Sequence, residues 1–120
     1  MRIIVADDQS RVRFALRTLL ERQPDMEVVG EAVDAEDLER KMLESQPDLV
    51  LLDWNLVGDS AGALLARLRE IRPNVPVIAL SGRPEERKAA LDAGVDRFAC
   101  KCDSAPRLLS AIQSVRPPTA

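Results

Sequence analysis

Histidine is absent from this chain of 120 residues. That removes His-based nucleophile triads and His-ligated metals together. Aromatic residues are scarce at 2%, represented by Phe14, Trp54 and Phe98. The core must then be filled by Leu, Val, Ile and Ala, which suits helices packed on a parallel sheet better than a sandwich built on aromatic pairs. No apolar run approaches the roughly 18 residues that a membrane span requires, so no membrane association is expected. A strand pattern begins at Arg2, which leaves no room for a signal peptide and makes a cytoplasmic location the expectation. The formal net charge of −3 offers no basic field to a phosphate backbone, and this chain alone is not expected to bind nucleic acid. Cysteine is limited to Cys100 and Cys102. They are too few for a zinc site, and their spacing gives little support to a structural disulfide. Reduced thiols are expected, with a redox-sensor role as the minor alternative.

What is present is arranged around residues 48–53, DLVLLD. Four consecutive apolar residues between Pro47 and Gly58 read as a strand buried on both faces of a parallel sheet, because a half-exposed strand would alternate with polar residues. That strand ends on the carboxylate of Asp53. Strand-like and helix-like runs alternate five times along the chain, which argues for repeated βα units with helices on both faces of the sheet. Strands are expected at 3–6, 27–31, 48–53, 75–80 and 97–100. The helices between them are a first capped by Ser10 and packed through Val12, Ala15, Leu16, Leu19 and Leu20, and a second from Asp34 to Ser45. A third starts near Ser60, a fourth spans 84–93, and a fifth is capped by Asp103 or Ser104 with Pro106 in its first turn. The fourth has only Ala89, Ala90, Leu91 and Ala93 to bury, which predicts a loosely held element. Phe14 lies about 200° around the first helix from Val12, off its core stripe. Residues 1–116 form one domain in this reading, and 117–120 a tail or the start of a linker.

The strand ends carry the functional signal. Strand one ends in Asp7 and Asp8, strand three in Asp53, strand four in Ser81 and strand five in Lys101, whereas strand two ends in Ala32 and Val33. In a doubly wound, flavodoxin-like (βα)5 sheet of order 2-1-3-4-5, the polar groups converge on the crevice at the carboxyl ends and the barren strand falls at the edge. Three carboxylates within about 4 Å repel by roughly 4 kcal/mol per pair at an effective dielectric of about 20, so such a cluster needs a cation. An oxygen-only site with room for water and a phosphate suits Mg²⁺. Lys101 serves as counter-charge to Asp53 when the site is empty and as a phosphate clamp when it is filled; Ser81 supplies a rotatable donor. The chemistry this permits is attack of the Asp53 carboxylate on a phosphoryl group. Any one of these residues alone reads as a helix cap or a solvated side chain, and it is their coincidence that carries weight.

The segments IIVADDQ, PDLVLLDWNL, PVIALSG and AGVDRFACK resemble the receiver domain of bacterial two-component response regulators over essentially the whole chain. EVVGEA and KCDSAPRLLSAI are most similar to receivers that precede a helix-turn-helix DNA-binding domain, which implies transcription regulation as the output. The resemblance implies that Asp53 accepts a phosphoryl group from a sensor histidine kinase or phosphotransfer protein. It implies Mg²⁺ bound by Asp8, Asp53 and the backbone carbonyl of Asn55, with Asp7 acting through water. It implies that Ser81 and Phe98 switch on phosphorylation, and that the surface of helix four, strand five and helix five changes, with homodimerisation through that surface as one option. The expected role is regulatory, a domain that assists its own phosphorylation and dephosphorylation and is otherwise no enzyme. The alternatives are a phosphate-independent interaction module and, less favoured, a small phosphatase with an Asp nucleophile, for which Asn55 stands where a general acid is needed. Two departures bear on this. Cys102 follows Lys101 where many receivers have a cis proline, so a trans bond is expected. Leu56-Val57-Gly58 replaces the usual Met-Pro-Gly loop, with Gly62 displaced.

Overall fold

The computed structural model describes residues 1–115, so the tail or linker expected beyond the domain lies outside the described residues. Its centre is a parallel sheet of five strands in the order β2-β1-β3-β4-β5. These are β1 (Arg2–Ala6), β2 (Glu27–Ala32), β3 (Leu49–Asp53), β4 (Val77–Ser81) and β5 (Arg97–Cys100). Between and after them run α1 (Ser10–Glu21), α2 (Ala35–Ser45), α3 (Ala61–Ile71), α4 (Arg87–Ala93) and α5 (Ala105–Ser114).

The unbroken apolar run of β3 is explained by its place. Every residue of β3 is buried, because successive side chains enter opposite faces and both faces are covered. Val50 and Leu52 join a cluster with Leu38 and Met42 of α2, Leu64, Leu65 and Leu68 of α3, and Ala90 of α4. Leu49 and Leu51 join Leu16 and Leu20 of α1 and Leu108 and Ile112 of α5 on the other face. Aliphatic side chains fill most of both layers; Trp54 is buried in the first of them, with Phe98 packed against it. Phe14 stands 63% exposed on α1, as its angular position predicts, and Phe98 is half-buried on the α2–α3–α4 side.

Helix ends follow local chemistry in two cases and depart from it in others. Asp34 caps α2 by accepting the Asp37 amide at 2.7 Å, and Ser104 caps α5 by accepting the Arg107 amide at 3.4 Å. Ser10 is not a cap. It is the first residue of α1, and Gln9 stands at the cap position, because the Asp7 carboxylate already takes the Gln9 amide at 2.9 Å. β4 starts at Val77 rather than Val75, since Pro76 has no amide to give to the ladder. The fourth helix is split: a 3₁₀ turn, Pro84–Glu86, precedes α4, whose only buried residue is Ala90. Leu91, expected inside, is 37% exposed. Gly94 ends α4 with φ +113°, a conformation that costs other residues more.

Stability should follow this gradient. Leu51→Ala is expected to cost about 3 kcal/mol, read as a lower urea midpoint with unchanged slope. Leu43→Ala, at a residue 65% exposed, should change stability by less than about 0.5 kcal/mol.

Candidate functional site

The crevice at the carboxyl ends of β1, β3 and β5 gathers most of the residues picked from the sequence. Asp7 follows the last residue of β1, where its amide still pairs with the Ala32 carbonyl at 3.0 Å and its side chain is 1% exposed. Arg13 donates to the Asp7 carbonyl at 2.7 Å, which fixes the turn into α1. Asp8 is exposed. Asp53 closes β3 at 1% exposure, one oxygen accepting the Asn55 amide at 3.2 Å. The loop beyond it forms 3₁₀ turns at Trp54–Leu56 and Gly58–Ser60, with Gly58 at φ +56°.

Lys101 is anchored from the other side. Its amide donates to the Ser81 carbonyl at 2.7 Å, and its Nζ lies 2.9 Å from Asp7 and 3.3 Å from Asp53. One ammonium therefore bridges two buried carboxylates. Asp7, Asp8 and Asp53 each offer a carboxylate oxygen, all within 4.8 Å of one another. Asp7 Oδ2 and Asp53 Oδ2 are buried without a hydrogen-bond partner; the ammonium is near the first but not aligned as a donor to it. Oxygen-only donors with unsatisfied lone pairs are the set a hard cation takes.

The electrostatics of the pair are unequal. Burial raises the pKa of Asp53 above the usual carboxylate value and the Asp7 charge adds to this, against the lowering by the Asn55 amide and Lys101. Burial pulls the Lys101 ammonium down, but Asp7 and Asp53 outweigh it and hold the pKa above the ordinary lysine value. The lysine's charge is secured, while that of Asp53 is only partly offset.

Ser81 is the exception among the expected groups. It is buried, but its hydroxyl bonds to Arg83 and Glu86 and not to Asp53 or Lys101. The backbone amide of Asn55 donates to Asp53 Oδ1. Glu86 was visible in the sequence only as one of several polar residues, and nothing in its spacing pointed to Ser81. The reduced thiols expected are not found: Cys100 and Cys102 form a disulfide. The chain leaves β5 in a turn through Lys101 and Cys102, which draws the two Cα atoms to 5.1 Å, inside the span a disulfide bridges. The Lys101–Cys102 peptide is trans, as the missing proline predicts.

Residues 3–113 match the family model described as response regulator receiver domain. The chain is 33% identical over 116 residues to the response regulator protein VraR of Staphylococcus saprophyticus, covering 94% of this chain and 55% of that protein. It is 37% identical over 103 residues to a protein-glutamate methylesterase/protein-glutamine glutaminase of Geobacter sulfurreducens, covering 84% of this chain and 28% of that protein. The chain thus spans about half the length of the first relative and about a quarter of the second. Its structure is similar to the crystal structure of a LuxR-family two-component response regulator from Aurantimonas sp. SI85-9A1, with TM-score 0.83, 29% identity and coverage of 94% of this chain and 82% of that one.

The raised pKa of Asp53 has a defined sign. Between its unfolded and folded values the folded state holds the extra proton, so stability from this group falls as pH rises through that interval. Removing the charge removes the cost. In magnesium-free buffer at neutral pH, Asp53→Asn should raise the midpoint of thermal unfolding by about 4 °C, or about 1 kcal/mol for a domain of this size. The gap should narrow toward acid pH, and scanning calorimetry across that range checks both parts.

Proposed function

The chain belongs to the response regulator receiver family, and on that premise we propose that it is a phosphorylation-activated switch whose acceptor is Asp53. The observation that carries this reading is the pair of buried carboxylates, Asp7 and Asp53, bridged by the ammonium of Lys101. A protein keeps such a charge cluster out of water only at a cost, which fits a site made for ionic chemistry.

Asp53 divides its two oxygens between tasks. Oδ1 is engaged by the Asn55 amide and by Lys101, and Oδ2 has no hydrogen-bond partner. Oδ2 is the nucleophile in this reading. It forms a bond to phosphorus as the bond from phosphorus to the imidazole nitrogen breaks in a phosphohistidine donor protonated at its other ring nitrogen, leaving an acyl phosphate and a neutral imidazole that keeps that proton. Lys101 then moves its charge from the carboxylates to the phosphoryl oxygens. Asp8, Asp53 and the Asn55 carbonyl, with Asp7 through a water, would hold Mg²⁺, which when bound offsets charge on the transferring oxygens.

The readout follows from the thin attachment of α4. Ser81 turns its hydroxyl to the phosphoryl group, Phe98 on the neighbouring strand follows, and the α4–β5–α5 surface changes. The donor is a sensor histidine kinase or phosphotransfer protein, and self-association through that surface is one use of the change. The role is regulatory, because Asn55 cannot protonate a leaving group two residues beyond the nucleophile. Among the described residues no helix is long and apolar enough to cross a membrane; the cytoplasmic location in this reading rests on the receiver family's place in two-component signalling. VraR is about twice the length of this chain and a LuxR-family regulator is among the similar structures, and on that likeness transcription is the process controlled.

Incubation with acetyl phosphate or phosphoramidate and magnesium should add the mass of one phosphoryl group. Asp53→Asn should abolish this, and Lys101→Ala should slow it roughly a hundredfold. Modification persisting in the Asn variant would overturn the assignment and leave the phosphate-independent reading in its place.

A further inference from the structure

The loop after Ser81 contains a bond that the proposed chemistry does not use. Ser81 is 2% exposed, and its hydroxyl donates to a carboxylate oxygen of the half-buried Glu86 while accepting the Arg83 amide at 3.0 Å. The Arg83 carbonyl stands 3.4 Å away. The main chain of Ser81 is fixed separately, by the Lys101 amide at 2.7 Å and by pairing with β5. Strand pairing thus sets where the residue is, while Glu86, together with the Arg83 amide, sets which way its hydroxyl faces. Glu86 closes the 3₁₀ turn Pro84–Glu86 at the start of α4, its amide bonded to the Arg83 carbonyl at 3.0 Å.

We infer that Glu86 is a positioning residue that holds the Ser81 hydroxyl away from Asp53 and so sets how readily the phosphorylated conformation is reached. A serine hydroxyl has one proton to donate. Given to Glu86, it is withheld from a phosphoryl oxygen, so one bond must break before the other forms. The acceptor is an anion, which makes the resting bond one of the stronger kind. Breaking it also frees the first turn of a helix that buries only Ala90, which couples the hydroxyl's direction to the mobility of α4. The inference rests on the phospho-acceptor reading of Asp53 and adds to it a resting-state bias peculiar to this loop.

The test uses the full chain with magnesium and beryllofluoride as phosphoryl mimic, followed by fluorescence of Trp54, the single tryptophan, which is buried next to Asp53. Glu86→Ala should raise the affinity for the mimic roughly tenfold, the worth of one charge-assisted hydrogen bond. Glu86→Gln, which keeps an acceptor without the charge, should raise it by a smaller factor. In a Ser81→Ala background, Glu86→Ala should have no effect, because the bond it breaks is already gone. Unchanged or weaker binding in Glu86→Ala would overturn the inference. So would an equal gain in the Ser81→Ala background, which would mean that Glu86 acts only by anchoring α4. A wild-type chain that took up neither beryllofluoride nor a phosphoryl group would instead overturn the phospho-acceptor reading itself.

Discussion

The bridge from Lys101 to Asp7 and Asp53 is the constraint on which the arrangement of this chain depends. Terms of on the order of 4 kcal/mol act between unit charges about 4 Å apart at an effective dielectric of about 20. Three carboxylates make three repulsive pairs, and Lys101 supplies attractions to only two of them. Burial is the first cause of the raised pKa of Asp53, the Asp7 charge adds to it, and the Asn55 amide and Lys101 offset it only in part. Such a group of charges survives because the sheet leaves it no alternative. Asp53 ends a strand buried throughout, and Lys101 is pinned by its own amide to β4.

Rigidity is unevenly spread around that cluster. The central strands are held through both faces by interlocked aliphatic side chains, so the carboxylate-bearing ends of β1 and β3 have fixed positions. α4 is held by little more than Ala90 and begins in a 3₁₀ turn. Charge change at a rigid point beside a weakly held element is the physical form of a switch: the energy of one or two new contacts is small against the core and comparable to what holds α4.

The parts of this molecule legible in its sequence are those fixed by periodicity. The apolar run of β3, the inward Leu16 and Leu20 of α1, the Asp34 cap and the strand order all follow from rules that act over short windows or on the whole sheet, although Ala15, expected in the α1 stripe, is exposed. The convergence of Asp7, Asp8, Asp53 and Lys101 follows from the same order. Other features turn on the path of a few residues between elements. Ser10 failed as a cap because Asp7 had already taken the Gln9 amide. Leu91 counts as apolar in any pattern, yet it lies about 100° around α4 from the buried Ala90 and is exposed. Cys100 and Cys102 would be too far apart in a continued strand, and it is the turn at Lys101 that brings them together.

Ser81 shows how much of a side chain's setting topology decides and how much a local turn decides. Its place at the end of β4 follows from sheet topology, and that much could be read in advance. The direction of a hydroxyl depends on which acceptor competes best, and the winner here is a carboxylate five residues on, delivered by a turn with no sequence period. The same separation governs the chemistry. Lys101, in this reading, exchanges one set of anionic partners for another within the same crevice, whereas Ser81 leaves an acceptor that belongs to the turn before α4. In the proposed switch, then, the charged groups are set for phosphoryl transfer in advance, and the cost of the conformational change falls on the one neutral donor and the helix tied to it.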